Sequence, residues 1–386
     1  MKHKTLITGL LPWFSKNARP LPWRQTHDPY AIWVSEIMLQ QTQVKTVLRY
    51  WERWMEALPD IASLAQANPE KLHKLWEGLG YYTRVRNMQQ AAKIIVSEHD
   101  GHFPVDFDSV LALPGIGRYT AGAICSIAFN QPCPILDGNV IRVLTRLFGI
   151  EKSPRDPKTN ATLWRIAGEI VVQAAADLKG EPARNAQHAR RNANSPGRVA
   201  SPEVCSHLNQ SLMELGALVC TPREPQCGTC PVSRHCVARR QGRQQELPKL
   251  GPRARSSERH LAAFVVQANG RFLVRQRPEG VVNAHLWEFP NCEVVATRKP
   301  VNEHICRLGQ QLMGMKAITV EKLCTIKHSI TRYRITLDVF DVSANGSFSS
   351  IPPGFIWLSR NEVRQRPFTA AHKRLWAMLV SPRKKA

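Results

Sequence analysis

No stretch of the 386 residues comes near the roughly 18 unbroken apolar residues of a membrane span. A spanning helix is therefore not expected. Acidic residues are the scarce class: 30 Asp and Glu stand against 53 Lys and Arg, a formal charge of +23. So large an excess argues against a basic partner and points to a polyanion, most commonly nucleic acid. A basic membrane-surface protein is the rival, but no long basic amphipathic helix supports it. No repeat of 20–50 residues is visible, which argues against a solenoid. The start, Met1-Lys2-His3-Lys4 followed by Leu6 to Phe14, faintly suggests a signal peptide. Pro12 interrupts it and no small-residue cleavage site follows, so it reads as a first helix.

Hydrophobic residues make up 43 % of the chain, with 10 Trp and 12 Phe, which excludes a mainly disordered protein. The length suits two domains. Residues 1–236 read as helical. Asp28-Pro29 is a helix start, and Val44, Val47, Leu48, Trp51, Trp54, Met55 and Leu58 keep a helical period. Between Leu178 and Ala200 the pattern fails in a basic Ala/Asn/Arg/Gly stretch, either a mobile loop or a DNA-backbone contact. Residues 237–259, basic and poor in apolar side chains, are expected to be a linker. Beyond it the period becomes two: Leu261 to Val266, a turn at 268–270 and Phe272 to Val274 predict a hairpin. Tyr333, Ile335, Leu337 and Val339 predict another strand. Residues 260–386 are thus an α+β domain.

Four motifs carry chemistry. Glu36 lies in a helix apolar in nearly every direction, so its carboxyl is expected to be buried, raised in pKa and able to act as a general acid. A structural glutamate satisfied by an Arg or a backbone N–H is the plainer reading of this feature alone. Leu113-Pro114-Gly115-Ile116-Gly117 joins two apolar stretches over 107–129. Its glycines allow a tight turn that presents N–H groups to a phosphate, a helix-hairpin-helix. A mere turn between helices is the alternative. Asp137, before Gly138-Asn139, either caps a helix or forms, with Glu36, the carboxylate pair that N-glycosidic cleavage needs. Cys220, Cys227, Cys230 and Cys236, spaced C-x6-C-x2-C-x5-C, suit one metal centre. A four-iron cluster is favoured over tetrahedral zinc, and disulfides are not expected. The other six cysteines, scattered singly, suit a reducing compartment.

Together these motifs resemble the MutY-type adenine DNA glycosylases of the endonuclease-III superfamily. The resemblance runs through Leu21-Pro22-Trp23-Arg24, Asp28-Pro29-Tyr30, Trp33 to Val44, Gly78-Leu79-Gly80-Tyr81-Tyr82, the hairpin, the Asp137 motif, Asn209 to Gly216 and the cysteines. It implies a mainly α helix-hairpin-helix glycosylase fold with one [4Fe-4S] cluster, acting as a monomer on double-stranded DNA in which adenine stands opposite 8-oxoguanine or guanine; another mismatch specificity within the superfamily, such as thymine in G:T, is the alternative. Glu36 matches the general acid and Asp137 the carboxylate that stabilises or traps the sugar cation. Tyr119 and Asn139 match supporting positions. Trp23, Arg24 and Gln210 align with the adenine pocket. Gln41, with Thr42, belongs to the strand that fills the vacated space, and Tyr81, beside Leu79, matches an aromatic wedge. Bifunctional relatives place a Schiff-base lysine where this chain has Tyr119, so strand cleavage is not expected.

The C-terminal region resembles a Nudix-like module through Phe272 to Pro278 and Leu286 to Pro290. It offers Glu293 and Glu303 but no dense acidic helix for Mg²⁺, so recognition of 8-oxoguanine is implied in place of pyrophosphatase activity. Where many members have Phe-Ser-His, this chain has Ile330-Thr331-Arg332. Thr331 and Arg332 are therefore the residues expected to face the lesion. The short N-terminus, with no Arg/Ser-rich transit segment, suggests a bacterial cytoplasmic protein at the nucleoid.

Overall fold

The computed structural model describes residues 2–179, 203–251, 256–294, 301–315, 318–330, 332–344 and 353–381. Thr331 and nearly all of the 178–200 stretch lie outside them. The chain divides into two compact units, one of residues 1–66 and 87–252, the other of residues 67–86 and 253–386.

The first unit is helical. Helix Val204–Leu218 is its hub, packed against Lys2–Asn17, Arg118–Phe129, Gly138–Phe148 and Pro157–Lys179. Eleven of its residues are buried, including the polar Asn209, Gln210, Ser211 and Glu214. Contact with Gly138–Phe148 is close enough to need a glycine: a Cβ at Gly216 would lie 2.6 Å from the Asn139 Cβ. Helix Pro29–Leu39 starts where expected, because the Asp28 carboxylate accepts from the Tyr30 N–H at 3.0 Å and the Ala31 N–H at 3.3 Å, with Pro29 in the first turn. It packs between Arg118–Phe129 and Val44–Ala57, which buries all but two of its residues. Residues 237–251 belong to this unit. Leu247 is buried, and its carbonyl accepts from Arg146 Nε at 2.9 Å.

The second unit is built on a seven-stranded mixed sheet, β1 Ser257–Ala268, β2 Arg271–Gln276, β3 Trp287–Glu288, β4 Asn291–Glu293, β5 Ile318–Ile330, β6 Tyr333–Ala344 and β7 Phe355–Ser359. The main order is β3-β2-β1-β6-β5, with β4 on β1 and β7 on β2. Asn269 and Gly270, both with positive φ, close the β1–β2 hairpin. Parallel pairing of β1 with β6 runs from Ser257↔Tyr333 to Val266↔Val342. The run Ala262 to Val266 serves two cores by alternation. Ala263 and Val265 pack with Leu375 and Trp376 of helix Ala370–Val380, while Ala262, Phe264 and Val266 pack with Ile305 and Met313 of helix Val301–Met313. Among the described residues no helix is long and apolar enough to cross a membrane.

Candidate active site

A cavity of about 550 Å³ opens in the first unit. Its lining includes the sequence-predicted Trp23, Arg24, Glu36, Gln41, Thr42, Tyr119, Asp137, Asn139 and Gln210. Glu36 projects from helix Pro29–Leu39 and is only 5 % exposed. Tyr119, in the first turn of Arg118–Phe129, donates its hydroxyl to Glu36 Oε2 at 2.7 Å. Burial raises the Glu36 carboxyl to about 7, with the nearby Asp137 charge adding to the rise. The Tyr119 hydrogen bond and Arg24 oppose it. The group therefore keeps its proton near neutral pH.

Asp137 sits where one side chain can both cap a helix and face the cavity that Glu36 lines. It caps helix Gly138–Phe148, with Oδ1 accepting from the Val140 N–H at 2.7 Å, and it faces the cavity. Its Oδ2 accepts from Asn139 Nδ2 at 2.9 Å. Asn139 is itself oriented by Arg142 Nη2, which donates to its Oδ1 at 2.8 Å and to the Gly216 carbonyl at 2.7 Å. Burial raises Asp137 above the usual carboxylate range, against the pull of those hydrogen bonds and Arg142. Trp23, buried, meets Trp51 edge-on at 6.0 Å, and Gln210 donates to Ser206 Oγ at 3.0 Å. Gln41 follows the end of its helix with φ 58°, a left-handed conformation that turns the chain at the cavity rim.

Glu214, inside the Asn209 to Gly216 motif, carries no sequence-predicted role, yet it lies on the cavity wall, fully buried. Arg19 donates to its Oε1 and Oε2 at 2.7 Å each, and Arg24 to Oε2 at 2.7 Å. Burial disfavours its charge, but the hydrogen bonds from Arg19 and Arg24 overcome this and hold the carboxyl at about 2. Met213, also on the wall, accepts the second Tyr119 hydroxyl contact at 3.4 Å. A carboxylate inside the apolar run Leu212-Met213-Glu214-Leu215 is the same kind of signal that singles out Glu36.

The remaining sequence-predicted residues lie elsewhere. Leu113 is buried at the end of helix Phe107–Ala112. Gly115 has φ +78°, and a Cβ there would stand 2.6 Å from the Asn87 Cβ, so both backbone and packing require glycine. Gly117, the N-cap of Arg118–Phe129, has φ −97° and open space where a Cβ would stand. Among the described residues nothing demands its missing side chain, which suits close approach by an outside backbone at a helix N-terminus. In the second unit Leu79 is buried, whereas Tyr81 is 46 % exposed with φ 46°. Arg332 is exposed at the β5–β6 turn, and its Nη2 donates to Tyr333 Oη at 3.1 Å.

Cys220, Cys227, Cys230 and Cys236 line one small cavity beside helix Gly138–Phe148. Arg146, buried there, donates Nη1 to Cys220 Sγ at 3.3 Å and to the Thr221 carbonyl at 2.7 Å. Four sulfurs around one space with a buried cation beside them fit a thiolate-bound centre of net negative charge. As placed, no three His, Cys, Asp or Glu side chains among the described residues form a closed ligand set.

Comparison with known proteins agrees with this architecture. Residues 34–169 match the model of the HhH-GPD superfamily base excision DNA repair proteins, and residues 261–378 match the NUDIX domain. The chain is 33 % identical to the adenine DNA glycosylase of Mus musculus, over 96 % of this chain and 77 % of that one. It is 34 % identical to that of Buchnera aphidicola subsp. Schizaphis graminum, over 73 % of each. The solved structure of a thermostable thymine-DNA glycosylase superposes with a TM-score of 0.50 at 24 % identity, covering 62 % of this chain and 97 % of that one; this likeness concerns the fold. By sequence identity and coverage, the chain belongs to the adenine DNA glycosylase family.

Proposed function

We propose that the chain removes adenine from duplex DNA by hydrolysing its N-glycosidic bond where the adenine stands opposite 8-oxoguanine or guanine. The observation that carries this reading is the pairing of unlike carboxyls in one cavity: Glu36, neutral up to about 7, and Asp137, held in place by the Val140 N–H and Asn139. The adenine is flipped into the cavity, at a cost that is lowest at a mispair. Glu36 delivers its proton to N7 of the base, the C1′–N9 bond breaks with both electrons going to the base, and neutral adenine leaves. The Asp137 carboxylate stabilises or captures the sugar cation. Water then adds at C1′, displacing the Asp137 carboxylate where it has bonded there, and gives up a proton to the Glu36 carboxylate, which restores the enzyme. Tyr119 holds Glu36 in aim and offers no amine for a Schiff base, so the product is an abasic site in an intact strand.

Trp23, Arg24 and Gln210 form the base pocket, with Gln41 and Thr42 at its rim. The hairpin backbone around Gly115 and Gly117 holds a DNA phosphate. Tyr81, two residues after the buried Leu79, is the wedge, and Thr331 and Arg332 are the residues assigned to lesion recognition. Cys220, Cys227, Cys230 and Cys236 would hold a [4Fe-4S] cluster, which when bound closes their loop beside helix Gly138–Phe148. In this reading the enzyme works as a monomer on chromosomal DNA, at the nucleoid of a bacterium. Single-turnover excision from duplexes with adenine opposite 8-oxoguanine, guanine or thymine tests the reading. Fast release opposite 8-oxoguanine, slower opposite guanine and none opposite thymine is expected, with no nick before alkali. Equal rates opposite 8-oxoguanine and guanine would remove lesion sensing, and no adenine release would overturn the function.

A further inference from the structure

The loop that presents Tyr81 is held in an unfavourable conformation. Gly78, Gly80 and Tyr81 all have positive φ, of 108°, 71° and 46°, and a tyrosine adopts that region only where its surroundings impose it. The C-terminal side of the loop is pinned locally. Trp76 Nε1 donates to the Gly80 carbonyl at 3.0 Å, and Arg84 Nη2 donates to the carbonyls of Leu79 at 2.9 Å and Gly80 at 3.1 Å. Arg84 also lies over the Tyr81 ring, 5.7 Å from its centroid.

The N-terminal side is pinned from far along the chain. Glu77, buried, accepts the Phe368 N–H at Oε1 (3.2 Å) and Lys373 Nζ at Oε2 (2.6 Å), with Lys74 3.1 Å from the same oxygen. Residues around Phe368 are themselves laid onto the sheet: the Trp287 N–H donates to the Pro367 carbonyl at 2.9 Å, and the Thr369 N–H to the Trp287 carbonyl at 3.1 Å. Flanking contacts repeat the connection. Glu70 pairs with Arg366, His73 stacks on His285 at 6.3 Å, and Arg86 Nη1 donates to the Ala284 carbonyl at 3.3 Å.

We infer that Glu77 is a positioning residue, and that Lys373 and the Phe368 amide, by holding its carboxylate, fix the loop that presents Tyr81. The Nudix-like region would then do more than meet the opposing base. It would also preset the side chain that enters the duplex, so that lesion reading and wedging share one rigid connection. The consequence for catalysis rests on the reading of Tyr81 as the wedge; the effect on the loop does not.

Two measurements on the full chain test this. Hydrogen exchange without DNA should show the 78–82 amides exchanging about tenfold faster in Lys373→Met, faster still in Glu77→Gln, and at the wild-type rate in Lys373→Arg. Glu77→Gln removes both ion pairs while keeping an acceptor for the Phe368 N–H. In single-turnover excision opposite 8-oxoguanine, Lys373→Met should slow release about five- to twentyfold, and this loss should vanish in a Tyr81→Ala background, because both changes remove one interaction. Unchanged exchange in Lys373→Met and Glu77→Gln would overturn the inference, as would an equal loss in the Tyr81→Ala background. If Tyr81→Ala alone excises at the wild-type rate, the wedge reading fails, and the exchange rates still decide whether Glu77 holds the loop.

Discussion

Replacing Glu36 by Gln should destroy excision and at the same time make the folded protein more stable, but only above a definite pH. The carboxyl lies at about 7 in the folded chain against an ordinary 4.5, chiefly through burial. A preference of that size for the neutral form corresponds to ~3 kcal/mol. Between pH 4.5 and 7 the folded state keeps a proton that the unfolded chain has lost, so this group makes stability fall as pH rises through that window. Above it the folded protein carries the whole cost of a buried charge. Below pH 4.5 the carboxyl is neutral in both states and contributes nothing. A glutamine, neutral throughout, accepts the Tyr119 hydroxyl as the carboxylate did and avoids the cost.

The experiment compares unfolding of wild type and Glu36→Gln at pH 8 and at pH 4.5. At pH 8 the variant should be stabilised by up to ~3 kcal/mol, which for a unit of this size is a rise of several degrees in melting temperature. At pH 4.5 the two curves should nearly coincide. Single-turnover excision should be lost at both, with duplex affinity retained. On the proposed mechanism, in which the acid form of Glu36 delivers the proton, the same titration predicts that wild-type excision declines as pH rises through about 7. A variant no more stable than wild type at pH 8, or stabilised equally at both pH values, would refute the claim that burial holds Glu36 neutral.

Glu214→Gln should act in the opposite sense. It leaves Arg19 and Arg24 without their carboxylate in a buried setting, and unfolding at pH 7 should show a loss of about 3–5 kcal/mol. Because the Glu214 carboxyl is held at about 2, its contribution is complete above the ordinary carboxylate range and is lost as pH falls from there towards 2, so the difference should shrink on acidification. Gly115→Ala should lower stability by more than 1 kcal/mol through its positive φ and the clash with Asn87. Gly117→Ala should stay within about 0.5 kcal/mol in unfolding assays, and weaken duplex binding in titrations where Gly115 is intact. Replacing Cys227 by Ser should remove visible absorbance and bound iron from purified protein; zinc alone by metal analysis would contradict a four-iron centre.

Much of the cavity was legible because its residues sit in short patterns whose local meaning is strong. Asp28-Pro29 starts a helix apolar all round, which alone implies that Glu36 is buried, and Asp137 before Gly138-Asn139 announces a cap at a helix mouth. Glu214 was harder because what gives it meaning, Arg19, lies 195 positions away, and polar contacts of that range leave no period in a sequence. Segment 67–86 shows the same limit. Its helix Pro69–Leu75 could be read from composition, but its grouping with residues 253–386 rests on single side chains such as Glu77 and Lys373. In the sheet, alternation located β6, while the parallel partner β1 was set by packing on two faces, which a buried run such as Ala262 to Val266 leaves open.

The three acidic side chains of the cavity separate by surroundings alone, and that separation assigns their chemistry. Burial acts against the charge of each. Glu214 faces two arginines and stays ionised to about 2, so it can neither give nor take a proton near neutrality; its task is to anchor Arg19 and Arg24 in the wall. Glu36 receives one neutral hydroxyl and remains protonated to about 7, which makes it the group able to give a proton to a leaving base. Asp137 differs from both. It has a helix N-terminus and Asn139 to support its charge, yet it is raised above the usual range. Its charge is supported mainly by the Val140 N–H and Asn139, with the Arg142 cation the smallest of the causes that favour ionisation, so most of its negative field remains. That is the condition for stabilising a sugar cation at C1′. Asn139→Ala tests it. Losing the Oδ2 hydrogen bond should raise the Asp137 carboxyl further and shift the acidic limb of the excision profile upward, leaving the limb set by Glu36 near 7. A parallel fall of rate at every pH, with no shift of the limb, would mean that Asn139 acts on geometry alone.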